Sequence, residues 1–304
     1  MDLDSLRSGG KPALAAALAA LERRPDAAEN LALLNAAYAA PQAHVIGVTG
    51  PPGVGKSTLT GAVIAALRAQ GRSVGVIAVD PSSRRSGGAL LGDRTRLATD
   101  PEDAGIFVRS MAARDRLGGL AELTVAAMVV MRAVFDVVLI ETVGVGQSET
   151  DVVEAVDTVL FCVQPGAGDS LQFMKAGIVE IPHVIAVTKG DVGAAARRAC
   201  ADVRGALSLA DAEGDGWSVP VLTVSALRRE GIEELIEALD SHGRWLEQEG
   251  RLAAQRQAQA AFWLAEAVRE RFGREGVKRA GTLTLAPGDS PFARLAAISS
   301  ELAR

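Results

Sequence analysis

Residues 50–58 of this 304-residue sequence read Gly50-Pro51-Pro52-Gly53-Val54-Gly55-Lys56-Ser57-Thr58, which sets glycine, lysine and a hydroxyl at the spacing G-x-x-x-x-G-K-S. A β-branched apolar run (45–49) enters this loop, and an alanine- and leucine-rich segment reaching Gln70 leaves it. The order strand, glycine loop, helix is that of a phosphate-binding loop. Its glycines let backbone N–H groups curl around phosphate oxygens, and the following helix directs its positive end at them. Lys56 is placed to reach the β- and γ-phosphates, and Ser57 to set its hydroxyl on Mg²⁺. A nucleoside triphosphate is the expected ligand.

Further along, other polar residues follow apolar runs directly. Asp80 follows the run 74–79, where a carboxylate can hold a magnesium-bound water or take a proton from an attacking one. Asp93 lies in a stretch rich in glycine and charge (84–96) that reads either as a mobile switch or as a solvated turn. Glu141 ends the run 137–141, with Gly144 three residues on. Glutamate is a poor helix N-cap, so Glu141 is read as a second magnesium element and Gly144 as a backbone donor to the γ-phosphate. Thr188-Lys189-Gly190-Asp191 follows another apolar run. An aspartate there can accept both N1–H and N2–H₂ of guanine, a donor pair that adenine lacks, while the lysine stem lies against the base. Ser225-Ala226-Leu227 ends the last run and suits a donor to the guanine carbonyl. Pro165-Gly166-Ala167-Gly168-Asp169, with Gln172 and Lys175 beyond it, is either a further ligand-edge loop or a plain strand-to-helix turn.

The elements that must position these residues are legible as an alternation. Strands are expected at 45–49, 74–79, 106–110, 137–141, 158–163, 184–188 and 221–224, mostly apolar throughout as strands buried on both faces are. Helical segments between them imply an α/β fold with a mostly parallel sheet flanked by helices, whose ligands sit at the carboxyl ends of the strands. Three regions follow: an N-terminal helical extension (1–42), a nucleotide domain (43–242) and a C-terminal helical arm (243–304). In the extension, Leu14, Leu18 and Leu21 share a face, Pro25 breaks the helix, and Asp26 with Glu29 resembles a capping box opening a second helix. Core packing is the expected role of these helices, with partner docking the alternative. In the arm, Leu264, Val268 and Phe272 recur at spacings of four, which fits either packing on its own domain or a projecting, dimer-forming helix.

Hydrophobic residues make up 48% of the chain, enough for a large core, but only 11 are aromatic, so small aliphatic side chains do most of the packing. The net charge of −5 argues against nucleic acid as partner. Cys162 and Cys200 form no C-x-x-C pair and suit a reducing cytoplasm. An 18-residue apolar run and a signal-like N-terminus are both missing, so a soluble cytoplasmic protein without membrane attachment is expected. His44, His183 and His242 are scattered and share no metal-ligand spacing, and Arg197 and Arg198 are placed on a solvated helix face.

Taken together, residues 50–57, Val79-Asp80-Pro81-Ser82-Ser83, Gly92-Asp93-Arg94-Thr95-Arg96, Glu141-Thr142-Val143-Gly144-Val145-Gly146-Gln147-Ser148-Glu149 and 165–169 resemble the MeaB/ArgK family. Its members are GTPase chaperones of adenosylcobalamin-dependent acyl-CoA mutases, in the SIMIBI class of P-loop proteins. The resemblance spans about residues 5–240, and the E-T-V-G-V-G-Q-S-E block is its most specific part. It implies a homodimer that binds methylmalonyl-CoA mutase or a relative, gates cobalamin loading and protects the mutase, with slow GTP hydrolysis as the switch. The adenosylcobalamin belongs to that client. By position the resemblance makes Asp80, Asp93 and Glu141 magnesium-shell carboxylates. It makes 166–175 a switch loop that signals to the mutase together with Gly146 and Gln147, and Lys189 and Asp191 the guanine-reading pair. Thr188 stands where the family usually has Asn, a change expected to loosen base selectivity. Two rival readings stand beside it: a nickel-type metallochaperone GTPase, which would carry a Cys/His cluster that this sequence does not contain, and a P-loop kinase using the Arg84–Arg96 stretch for a small substrate.

Overall fold

The computed structural model describes residues 1–81, 97, 99–113, 122–142, 152–166, 181–210 and 216–302. Seven parallel strands form one sheet: β1 (His44–Thr49), β2 (Val74–Pro81), β3 (Ile106–Ala113), β4 (Val137–Glu141), β5 (Thr158–Val163), β6 (Val184–Val187) and β7 (Val221–Thr223), in spatial order β3-β2-β4-β1-β5-β6-β7. All seven expected strands are present within a few residues of their expected bounds. The chain starts in the middle of the sheet, builds outward to β3, returns through β4, and then builds the other side from β5 to β7. Such an order opens a ligand crevice at the carboxyl ends beside β1.

Side chains alternate across the sheet with period two, as strand geometry requires. Val45, Ile77, Val79, Val138, Ile140 and Val159 face one helical layer. It comprises α1 (Leu3–Ser8), α2 (Gly10–Arg23), α3 (Ala28–Ala39) and α5 (Glu122–Arg132), with the C-terminal α8 (Arg251–Ala280) and α9 (Pro291–Leu302). Ile46, Val48, Val76 and Leu139 face α4 (Lys56–Ala69) and α7 (Ile232–Glu247) on the opposite side. Helix α6 (Ala194–Ala210) covers Phe161, Val163, Ile185 and Val187 at the β7 end. Its Arg197 and Arg198 are exposed, as expected. Among the described residues no helix is long and apolar enough to cross a membrane.

Two details depart from expectation. The capping box is not made. Helix α3 starts after Ala27 without a side-chain cap, because Arg271 takes the Asp26 carboxylate (2.7 Å) and Arg24 takes Glu29 (2.8 Å). The local device is instead Asn30, buried, whose amide donates to the Ala20 and Arg24 carbonyls and satisfies the end of α2. Helix α7 also runs across the expected boundary at 243 to Glu247, and of the two arrangements open for the C-terminal helix the packed one is seen. Trp263, Leu264, Ala267 and Val268 are buried in the same core as the N-terminal helices, with Trp263 against Phe292 at 4.8 Å between centroids.

Candidate functional site

Chain geometry concentrates the candidate residues at one edge. Gly50 leaves β1 with φ +134°, and a Cβ there would lie 2.3 Å from the Cys162 carbonyl oxygen, so only glycine lets the loop pass this close to β5. Gly55 turns the chain with φ +99° directly into α4, whose first residue is Lys56. Pro52 and Gly53 are exposed, Val54 is buried, and Thr58 is exposed on the first turn. The Lys56 ammonium, 7% exposed, curls back and donates to the carbonyls of Gly50 (2.7 Å) and Pro51 (3.0 Å). These bonds hold its charge inside the loop, where it can exchange carbonyl partners for phosphate oxygens.

Ser57, one residue into α4, donates its hydroxyl to Glu141 Oε1 at 2.5 Å. Glu141 is only 4% exposed at the end of β4. Next to it the Thr142 hydroxyl donates to Thr49 Oγ1 (3.0 Å) at the end of β1. A hydroxyl and a carboxylate oxygen converging beside a helix amino end are the hard-oxygen donor set that magnesium takes, so these residues fit the ion that the sequence implies. Beneath them the Cys162 thiol is pushed up to about 12 by burial, opposed by Lys56 and helped by Glu141. It stays protonated and inert.

Base-reading candidates gather at β6 and β7. Lys189, in the left-handed region (φ 53°), extends its ammonium to the Gly53 carbonyl (3.1 Å) and to Gln164 Oε1. Asp191 is exposed, and its Oδ1 accepts the Ser225 hydroxyl at 2.8 Å. That bond is the chief reason its carboxyl lies below the usual range, which keeps it a double acceptor at neutral pH. Ser225 is buried and locked by a two-way backbone bridge with Glu230, while Ala226 is half-buried and Leu227 exposed.

Thr188 makes contacts that the sequence did not suggest. It is 4% exposed, and its hydroxyl lies 2.7 Å from the Val54 carbonyl and 3.0 Å from that of Val163. It ties the phosphate loop to the sheet. Gln164, which the sequence gave no reason to single out, is a partner of Lys189 by virtue of following β5 directly. Gly166 closes the described part of its loop with φ +78°. Asp93, Gly144, Gly146, Gln147, Gly168, Asp169, Gln172 and Lys175 lie outside the described residues, as does the Asp80 side chain, although its backbone ends β2.

A seven-stranded parallel sheet with this loop and this pair of edge elements defines a P-loop nucleotide hydrolase. The family model described as "Methylmalonyl Co-A mutase-associated GTPase MeaB" matches residues 14–280, and the chain belongs to that family. It is 45% identical over 222 residues to a protein of Pyrococcus horikoshii, covering 70% of this chain and 68% of the other. It is 39% identical over 228 residues to the GTPase ArgK of Escherichia coli (74% and 69%). Among solved structures, the crystal structure of an LAO/AO transport system kinase superposes with TM-score 0.71 at 29% identity, covering 99% of this chain and 96% of that one. The chain is a GTPase, and its ligand is a guanine nucleotide.

Proposed function

We propose that this GTPase serves an adenosylcobalamin-dependent acyl-CoA mutase, methylmalonyl-CoA mutase or a relative, gating cofactor loading and protecting the loaded enzyme. The family description, which joins GTPase to mutase, supports the partner class. The Ser57–Glu141 contact carries the hydrolytic part of the reading, because it joins the phosphate loop to the strand end where the γ-phosphate would lie. The adenosylcobalamin stays with the client, and the GTPase acts as a cytoplasmic homodimer in which the outer, solvent-facing side of the packed C-terminal segment (243–304) would meet its copy.

In this reading, the N–H groups of residues 50–57 cradle the phosphates, and Lys56 leaves its loop carbonyls to neutralise charge developing on the transferred oxygens. Ser57 and Glu141, with Asp80 and Asp93, would hold magnesium. When bound, that ion would supply charge neutralisation for the phosphate undergoing transfer. Water attacks the γ-phosphorus in line with the departing β-phosphate oxygen, oriented by Asp80 or Asp93. Asp191 accepts the two guanine donors while Ser225 holds it in place, and the Lys189 stem covers the base. Gly144, Gly146 and Gln147 sense the γ-phosphate, and the loop carrying Gly166, Gly168, Asp169, Gln172 and Lys175 relays its loss to the client. Turnover is slow until a partner completes the site, as in other switch GTPases.

Steady-state phosphate release from GTP with Mg²⁺, alone and with each adenosylcobalamin-dependent mutase of the source organism, tests this reading. Stimulation by one mutase identifies the client. Hydrolysis that the whole panel leaves unchanged removes the chaperone assignment while keeping the GTPase. Release without any added acceptor separates hydrolysis from small-substrate phosphorylation.

A further inference from the structure

Arg132, the last residue of α5, is 5% exposed, and no carboxylate among the described residues pairs with it. Its guanidinium faces the Tyr38 ring at 5.8 Å from the centroid, and its Nε has no hydrogen-bond partner. Buried guanidinium groups are normally paired, because desolvating an isolated cation is costly. Neighbouring Arg256 meets that rule. It clasps Asp157 through Nε to Oδ1 (2.8 Å) and an Nη to Oδ2 (2.7 Å), and Oδ2 also accepts the Val45 N–H (2.8 Å). Asp157 is thereby spent on Arg256, and the three groups carry one uncompensated positive charge. Burial first, and Arg256 second, lower Arg132 to about 10, so it is still a cation at neutral pH.

Arg132 and Arg256 both line one cavity of about 30 Å³, walled also by Tyr38, Glu154, Gln259 and Phe292. A water needs roughly 10–15 Å³ by this measure, so the space has room for one or two water-sized occupants. The Gln259 amide nitrogen is occupied by the carbonyls of Val153 and Val156 (2.9 and 2.8 Å). Glu154 is exposed, and the charges that act on Arg132 are those of Arg256, Asp157 and Tyr38. What the cavity offers is therefore an unpaired buried guanidinium, that of Arg132, beside the Arg256–Asp157 pair, with the exposed Glu154 at its rim.

We propose that this cavity is a binding site for one small monovalent inorganic anion, with a halide as its simplest occupant, held by Arg132 beside Arg256. The anion neutralises the buried charge where α3, α5, α8 and α9 meet, and so joins the C-terminal helices to the rest of the fold. This site is separate from the nucleotide edge and independent of the mutase reading.

The test is thermal unfolding of the full chain, free of nucleotide and magnesium, in sodium bromide exchanged for sodium gluconate at constant ionic strength. Tm is expected to rise by about 2–4 °C per tenfold increase in bromide above its Kd, and Arg132→Met is expected to abolish the rise. Crystals grown in bromide should show an anomalous peak within hydrogen-bond reach of the Arg132 guanidinium. A Tm indifferent to bromide, or a rise equally large in Arg132→Met, would overturn the proposal. Should that variant not fold, the anomalous map of the unsubstituted chain decides alone, and a cavity holding only water at high bromide overturns the site.

Discussion

The Ser57 hydroxyl and Glu141 Oε1 lie 2.5 Å apart, joining the first turn after the phosphate loop to the end of a strand 84 residues later. Each group can donate oxygen to a magnesium ion, and each orients the other. Glu141→Gln keeps the shape and removes the charge, so it is expected to raise the magnesium concentration needed for half-maximal GTP hydrolysis about 10–100-fold. Ser57→Ala should do the same and also lower kcat. Magnesium titrations of the hydrolysis rate check both, and an unchanged half-saturation point in Glu141→Gln would remove it from the metal site.

In the proposed role Asp191 must be held still and charged to read the base, and the Ser225 hydrogen bond favours both. Asp191→Asn replaces one acceptor by a donor and should weaken GTP binding at least 100-fold, because a buried guanine donor then has no partner. Ser225→Ala should weaken it by about tenfold, the loss of one hydrogen bond to a charged group. Titrating a fluorescent GTP analogue measures both. A Ser225→Ala protein that binds GTP normally would show that Asp191 needs no second residue.

The Thr188 hydroxyl holds the phosphate loop against the sheet through the Val54 and Val163 carbonyls. Thr188→Val leaves the Val54 and Val163 carbonyls without a hydroxyl partner in a site 4% exposed, at about 1–3 kcal/mol. GTP and GDP affinities are expected to fall together by about tenfold, with the preference for guanine over adenine nucleotides unchanged and with Thr188→Ser restoring binding. A selective gain of ATP binding in Thr188→Val would return Thr188 to base reading.

Why were some of these features legible in the sequence and others not? The phosphate loop and the seven strands are local patterns: glycines at fixed spacing, and apolar runs of the right length. The placing of Glu141 and Asp191 at one edge is legible because parallel strands bring their carboxyl ends together, a rule that needs only the order of elements. Side-chain ties between distant segments follow no such rule. The Ser225 hydroxyl on Asp191, the Thr188 hydroxyl on Val54 and Arg132 beside Arg256 depend on rotamers and on packing across 34 to 134 residues. The capping box failed for the same reason, since an arginine 245 residues away claims the Asp26 carboxylate. Three histidines scattered at 44, 183 and 242 also gave no signal, yet the fold gathers them.

That cluster predicts an acid-sensitive fold. Thr158 Oγ1 lies 2.6 Å from His44 Nε2 and 2.7 Å from His242 Nδ1, and the His242 ring stacks on His183 at 4.3 Å. The His183 Nδ1 accepts the Val159 N–H, which requires that nitrogen unprotonated. Trp217 and Trp245 close the other sides at 4.8 and 5.5 Å. Burial lowers His242 to about 3, helped by the charges of His183 and His44 and opposed by Asp157. Burial lowers His44 as well, with Asp157 and Asp240 raising it and Arg256 and Arg72 lowering it. Both rings are thus neutral in the folded state and charge at an ordinary 6.5 in the unfolded chain. Above pH 6.5 their contribution is complete. As pH falls below 6.5 the unfolded chain takes up protons that the fold refuses, and stability drops by about 1.4 kcal/mol per pH unit for His242. His242→Phe keeps the ring stack and removes the titration, so its urea midpoint should depend less on pH between 6.5 and 5 than that of the unsubstituted chain. Equal pH slopes for the two proteins in that window would show that His242 is protonated in the folded state.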